Sequence, residues 1–233
     1  MTVNIVPYAL PPRRNRKHAL RRPWNIDPSC VLALMPEVNT QWIDYSGKGN
    51  DGTIVGATKI YNGRFGEGLL FDGINDTVNC GDDASMKPVD AITLEAWVYK
   101  NQLITNQVFI GNFGGAGNQA FILYSWSGDP SFTMSLIADD LSVAEVWSTE
   151  IEANRWYHVV GTYDKANLII YVNGIVNDSA AFSETLDDTT ADIIIGNTAG
   201  NYGTFDGMMD EVRIYNRALK AWEIRALYEQ GRP

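Results

Sequence analysis

At 233 residues, 45% of them hydrophobic, the chain can bury one sizeable core. No stretch approaches the ~20 apolar residues of a membrane-spanning helix, and the net charge of −10 argues against a body that binds nucleic acid. Two cysteines, Cys30 and Cys80, are too few for a disulfide framework and are expected as buried free thiols.

The N-terminal segment stands apart in charge. Residues 1–30 hold six of the 18 Lys+Arg (Arg13, Arg14, Arg16, Lys17, Arg21 and Arg22) and one acid, Asp27, a net of +5 that leaves −15 on the rest. Pro7, Pro11, Pro12 and Pro23 favour extended backbone over helix or central strand. Tyr8, Leu10, Leu20 and Trp24 interleave apolar anchors with the charge. Residues 1–29 are therefore expected to form an extended basic docking arm, and residues 30–233 one domain. The arm's expected partner is an acidic protein surface, a neighbouring copy of the body included; repulsion from the −15 body disfavours nucleic acid. Met1 to Tyr8 lacks a basic n-region and a sustained apolar h-region, so no secretory signal is expected.

The domain opens with an apolar strand at 31–35. A loop rich in Gly and Asx follows, Asp44-Tyr45-Ser46-Gly47-Lys48-Gly49-Asn50-Asp51-Gly52. Further strands are expected at 53–55, 69–71, 77–79, 92–100, 108–112, 120–126, 132–138, 143–148, 156–164, 168–172, 193–195 and 207–215. Alternation is clear where Leu94, Ala96 and Val98 interleave with Thr93, Glu95 and Trp97. Asn173-Gly174 between Tyr171-Val172 and Ile175-Val176 is a two-residue hairpin turn. A helix-like tail covers 220–230. More than ten short strands and one terminal helix point to an all-β fold of two packed antiparallel sheets.

Four blocks carry a resemblance. They are Gly68-Leu69-Leu70-Phe71-Asp72-Gly73, Thr93-Leu94-Glu95-Ala96-Trp97-Val98, Arg155-Trp156-Tyr157-His158-Val159-Val160, and the run from Phe205 through Asp210-Glu211-Val212-Arg213-Ile214-Tyr215 to Leu219. In order and spacing, over roughly residues 30–230, they resemble the laminin-G-like, concanavalin-A-like lectin/glucanase jelly-roll family. That resemblance implies an antiparallel jelly-roll sandwich with a short C-terminal helix. It also implies a structural Ca²⁺ between the first loop and the aspartate of the last block, carried onto Asp44, Asn50 and Asp210, with Asp72 and Asp76 beside them. The competing account makes Asp44 and Asp72 turn formers bonded to nearby backbone.

Catalysis finds little support. Concanavalin-A-like glucanases carry paired carboxylates on one strand as Glu-x-Asp-x-Glu, and no such triplet occurs here. Glu150-Ile151-Glu152 comes nearest and reads as a solvated turn. His158 lacks any accompanying nucleophile motif and is expected to be structural. Sugar recognition would draw on Trp126, Asn118 and Tyr202 in Gly- and Asn-rich loops, with Trp97, Trp147 and Trp156 assigned to strand packing. The function expected is a non-enzymatic, lectin-like or structural subunit of a large assembly. A bacteriophage virion protein made in the host cytoplasm, as a capsid decoration or a tail-associated subunit, would reconcile a missing secretory signal with a fold that is mostly secreted. The alternative is a carbohydrate-binding module, outside the cell by a non-classical route.

Overall fold

The computed structural model describes residues 27–38, 40–103, 106–113, 118–126, 128–198 and 203–230. The expected docking residues Arg13, Arg14, Arg16, Lys17, Arg21, Arg22 and Trp24 lie outside them, as does Tyr202. The strands are β1 (Cys30–Val38), β2 (Gln41–Asp44), β3 (Gly52–Val55), β4 (Thr58–Gly63), β5 (Gly66–Asp72), β6 (Thr77–Asn79), β7 (Ile92–Lys100) and β8 (Gln107–Phe113). There follow β9 (Gln119–Ser125), β10 (Thr133–Ile137), β11 (Val143–Trp147), β12 (Trp156–Tyr163), β13 (Asn167–Val172), β14 (Ile175–Ala181), β15 (Ile194–Ile195) and β16 (Asp206–Tyr215). The helix α1 spans Ala221–Gln230.

Every strand pairing is antiparallel. The front layer runs β11-β10-β9-β8-β15-β6-β3-β2 and the back layer β1-β16-β7-β12-β13-β14, with β5 and β4 beside the first half of β16. The β1–β2 pairing joins the two layers edge to edge. This is the jelly roll that the sequence implied.

The strands form because their residues alternate. On β7, Ile92, Leu94, Ala96 and Val98 enter the core between the layers, while Thr93, Glu95 and Trp97 face out. Facing them from the front layer are Phe121 and Leu123 of β9, Met134 and Leu136 of β10, and Ala144 and Val146 of β11. The layers touch closely enough that a Cβ on Gly161 of β12 would lie 1.9 Å from the Met134 sulfur. A glycine is needed there for proximity. The Asn173-Gly174 turn has both residues at positive φ, 53° and 74°, as a two-residue hairpin requires. The Asn173 side-chain oxygen also accepts from the backbone N–H of His158 at 3.0 Å, tying the turn to β12.

A second, smaller core lies on the outer face of the back layer. Here Leu219 and Ile224, at the start of α1, pack on Cys30, Ala33, Val160, Tyr171 and Tyr215. Glu223 anchors the helix start, accepting from the Lys220 N–H at 2.7 Å and from Arg217. Cys30 and Cys80 are both buried free thiols, and burial pushes the Cys30 thiol up to about 12.

Lys100 breaks the apolar pattern. It ends the inward row of β7, is 1% exposed, and donates from Nζ to Ser125 Oγ at 2.5 Å across the layers. Burial lowers its pKa to about 8, with Asp129 opposing the shift. In the unfolded chain the amine keeps its proton to about 10.4. Between pH 8 and 10 the unfolded state therefore binds more protons, and this group's contribution to stability rises with pH, by up to about 1.4 kcal/mol per unit. Chemical denaturation across that window should show Lys100→Met with a flatter pH dependence than wild type. Equal slopes for the two proteins would mean that the amine is not held this way.

Candidate functional site

The outward face of β9, β10 and β11 holds the exposed aromatic cluster. On β9 the inward residues are Phe121 and Leu123, which turns Ile122 and Tyr124 outward. By the same alternation Thr133, Ser135 and Ile137 of β10 face out, and so do Val143, Glu145 and Trp147 of β11. Register aligns these in rows. Thr133 stands directly opposite both Tyr124 and Trp147, and Ser135 opposite both Ile122 and Glu145. Tyr124 and Trp147 thus flank a short threonine, about two inter-strand spacings, or roughly 9.5 Å, apart.

Trp126 lies beside the row, further along the line of β9. It follows β9 on the same face as Tyr124, 59% exposed, its ring centroid 5.5 Å from that of Tyr124 at 81°. The turn that carries it closes with the Asp129 N–H donating to the Trp126 carbonyl, and Gly128 supplies the left-handed φ of 81° that the turn needs. Trp147 is 46% exposed. Its backbone N–H donates to Asp178 Oδ2 of β14 at 3.2 Å, and the next residue but one, Thr149, bonds Asn177 through both its N–H and hydroxyl. Side chains of β14 thereby cap the edge of β11.

A polar group sits among the rings. The Tyr124 hydroxyl donates to Glu145 Oε1 at 3.0 Å. Burial and the neighbouring Glu145 carboxylate both push the phenol's pKa up, so it stays a donor at neutral pH. Two exposed indoles, a phenol and a carboxylate on a rigid sheet form a surface on which a sugar ring can stack its apolar face and hydrogen-bond its hydroxyls.

The residues expected from sequence to bind a ligand divide. Trp126 belongs to this platform. Asn118 does not: it precedes β9 while Trp126 follows it, so about 26 Å of extended strand separates them. Its side-chain oxygen instead accepts from Thr189 Oγ1 and from the Thr190 N–H, holding the 187–191 loop. Trp147, assigned from sequence to packing, is a platform residue. Trp97 is buried at 2%, as expected of a packing tryptophan. Alternation of Val143, Glu145 and Trp147 against Ala144 and Val146 was the available signal, since the smaller apolar pair marks the inward side.

The expected calcium ligands are spread over separate places. Asp44 Oδ1 accepts from the N–H groups of Ala33 (2.9 Å) and Ser46 (2.8 Å), and Oδ2 from Ser46 Oγ (2.7 Å) and the Asn50 N–H (3.0 Å). Each oxygen thus already has two donors, matching its two lone pairs. The Asn50 amide donates to the Val31 carbonyl and Ser85 Oγ, strapping the loop onto β1. Asp76 accepts from the Asp72 N–H, and Asp72 from the Ile74 N–H, both at 2.8 Å. Asp210 accepts from the N–H groups of Phe65 and Glu211. Among the described residues no group of three or more His, Cys, Asp or Glu could hold a metal ion. The donor set fits a hydrogen-bonded loop organiser better than a calcium cage.

The other titratable candidates are structural in their surroundings. His158 is fully buried, 3.0 Å from Glu95 Oε1, its ring 5.1 Å from that of Trp97. Glu152 pairs with Arg155 on the surface, and Glu150 is exposed beside it.

An antiparallel jelly roll with an aromatic platform on its front sheet defines a lectin-like sandwich. The chain belongs to the concanavalin A-like lectin/glucanase superfamily, whose laminin-G-like family model matches residues 72–225. No curated protein sequence matches it. Among solved structures it is similar to the binding domain of Paraclostridial Mosquitocidal Protein 1, at 16% identity and a TM-score of 0.71 over 87% of this chain and 52% of that one. The receptor-binding domain of botulinum neurotoxin C/D mosaic serotype is also similar, with 16% identity and a TM-score of 0.68 over 88% and 52%. A third is the botulinum neurotoxin serotype D ligand-binding domain in complex with N-acetylneuraminic acid, with 16% identity and a TM-score of 0.67 over 87% and 51%. The chain thus spans about half the length of these structures, and the likeness is one of fold.

Asp44→Ala removes four acceptor contacts at once and should lower stability by about 1–3 kcal/mol. As a loop organiser it should do so equally with and without EDTA, and wild type should melt at the same temperature in both. A melting temperature that falls on chelation only when Asp44 is present would restore the calcium assignment.

Proposed function

We propose that this domain is a non-catalytic glycan-binding module that holds its ligand on the Tyr124–Trp126–Trp147 platform. The observation that supports it most is that one sheet face carries two exposed tryptophans and a hydrogen-bonded tyrosine, Trp126 against the Tyr124 ring and Trp147 across Thr133 from it, where a lone exposed hydrophobic would need no explanation. The superfamily is one of lectins as well as glucanases. Hydrolysis would need two carboxylates about 5–9.5 Å apart across one bond. Glu145 is the one carboxylate on β9, β10 and β11 and is engaged by the Tyr124 hydroxyl, and Asp178 of β14 is engaged by the Trp147 N–H, so neither reads as a member of a catalytic pair. Removing a stacking ring typically costs binding modules on the order of 1–3 kcal/mol, by analogy with base stacking on aromatic side chains. Trp147→Ala and Trp126→Ala should each weaken glycan binding by about tenfold or more with the fold intact by circular dichroism, and the wild-type chain should release no reducing ends from the glycans it binds. Undiminished binding in the double variant would remove the platform from the argument.

A second reading concerns assembly. The +5 arm ahead of a −15 body favours attachment to an acidic surface of a larger particle, such as a virion. Truncation of residues 1–26 should then abolish incorporation into the particle while glycan binding persists. Wild-type occupancy by the truncated chain would refute docking through the arm.

A further inference from the structure

Among the described residues, the charged groups bonded at the aromatic platform are acidic. Glu145 lies within the platform, 3.0 Å from the Tyr124 hydroxyl. Asp178 sits against the Trp147 backbone, its carboxylate accepting from that N–H. Asp129 closes the turn that presents Trp126. Glu145 is therefore bonded to one ring of the platform and Asp178 to the backbone of another, with Asp129 in the adjoining turn. Strands β8, β9, β10 and β11 together contain no lysine or arginine. Lys100, which bonds Ser125 between Tyr124 and Trp126, is inside the sandwich, on the opposite face of the sheet. Beyond the site, residues 31–233 carry a net −15.

Such a surface discriminates by charge. An anionic sugar is typically recognised by arginine or lysine, whose N–H groups match a carboxylate or sulfate. Here a sugar acid stacked on Trp147 would bring its charge beside Glu145 or Asp178, and like charges in contact across an interface cost several kcal/mol. Carboxylates do serve an uncharged sugar, because each accepts hydrogen bonds from hydroxyl groups. Glu145 has Oε2 as well as the Oε1 that takes the Tyr124 hydroxyl.

Resting on the platform reading above, we infer that the site takes uncharged glycans and rejects those bearing sialic acid, uronic acid or sulfate. Spacing refines the class. Tyr124 and Trp147 lie on either side of Thr133, roughly 9.5 Å apart, and Trp126 stands against Tyr124 along the direction of β9. The ligand is an oligosaccharide that spans several rings, and a monosaccharide would reach only one indole. The inference separates this chain from the serotype D neurotoxin domain, whose structure was solved with N-acetylneuraminic acid. A shared fold does not carry a shared ligand.

The experiment is a glycan array of matched pairs probed with the full chain. Suitable pairs are sialylated and desialylated N-glycans, and free-acid and methyl-esterified oligogalacturonides. Binding should concentrate on the neutral members, with each anionic partner weaker by about tenfold or more at low salt. Glu145→Gln should narrow that gap, and so should 0.5 M NaCl, because screening shortens the reach of the carboxylates. The salt arm needs no variant, so it stands even if Glu145→Gln folds poorly. Equal or stronger binding of the anionic members, lost in Trp147→Ala, would overturn the charge inference and leave the platform standing. No binding to any member would overturn the platform and the inference together.

Discussion

The back layer depends on one buried carboxylate. Glu95 is 1% exposed and stands in the middle of β7, where desolvation alone would push its pKa up. Its partners reverse that. Oε1 accepts from Arg213 Nη1 at 3.1 Å and lies 3.0 Å from His158 Nε2, while Oε2 accepts from the Tyr215 hydroxyl at 3.0 Å. Arg213 and His158 hold the carboxyl below its ordinary value, Arg213 with the larger effect. Arg213 is held in turn by Glu211. Stripping one partner from a buried pair typically costs 3–5 kcal/mol, because the remaining charge is left uncompensated. Three strands are thereby locked side by side: β12 through His158, β7 through Glu95, and β16 through Arg213 and Tyr215.

That network gives the sequence resemblance a physical content. Three of its four blocks meet at Glu95. The shift of register in β16 between Asp210 and Arg213, with Glu211 at a φ of 54°, is the irregularity that a bulge introduces. It lets Asp210 reach the Phe65 N–H while Arg213 and Tyr215 both reach Glu95. The fourth block supplies β5, which pairs with the first half of β16 before β1 takes over the same edge. Tyr215 then also belongs to the apolar cluster beneath α1, so the charge network and the helix are seated on the same residues. Order among the blocks was therefore informative because tertiary contact couples them.

Much of the fold was legible for local reasons. The bounds of β6 and β7 coincide with those read from alternation, and the Asn173-Gly174 turn has the backbone that only a few residues adopt readily. Of the strands that went unread, β2 and β4 are short or exposed, β4 having no buried residue and no apolar row in Thr-Lys-Ile-Tyr-Asn-Gly, while of β14 only the start was read, through the hairpin turn. β2 and β4 both pair with strands next to them in the chain, β4 with β5 and β2 with β1 and β3, so what was missing is an apolar row of their own for a local pattern to record. The platform was half legible. Trp126 stood out because a tryptophan beside Ser-Gly-Asp is set in a loop, whereas Trp147 ends a strand in which Glu145 alone is polar. A tryptophan there is usually core. Which face of β11 meets solvent is decided by the layer behind it, where Ala144 and Val146 fill the space.

Rigidity links the fold to the site. Tyr124 and Trp147 project from strands whose backbone is fixed by pairing on β10, and whose inward neighbours Leu123, Met134 and Val146 are fully buried. A ligand that stacks on such rings gains contact without first ordering a loop, so less of the interaction is lost to conformational entropy. β11 would otherwise be an open edge, prone to pairing with another chain. Asp178 and Asn177 engage its end with side-chain acceptors and leave the indole outside. The same aspartate thus occupies a backbone donor of the edge and adds negative charge beside Trp147. Edge protection and ligand discrimination are two consequences of one residue placement, and they explain why an exposed tryptophan can sit at a sheet margin as a ring to stack on rather than a strand to extend.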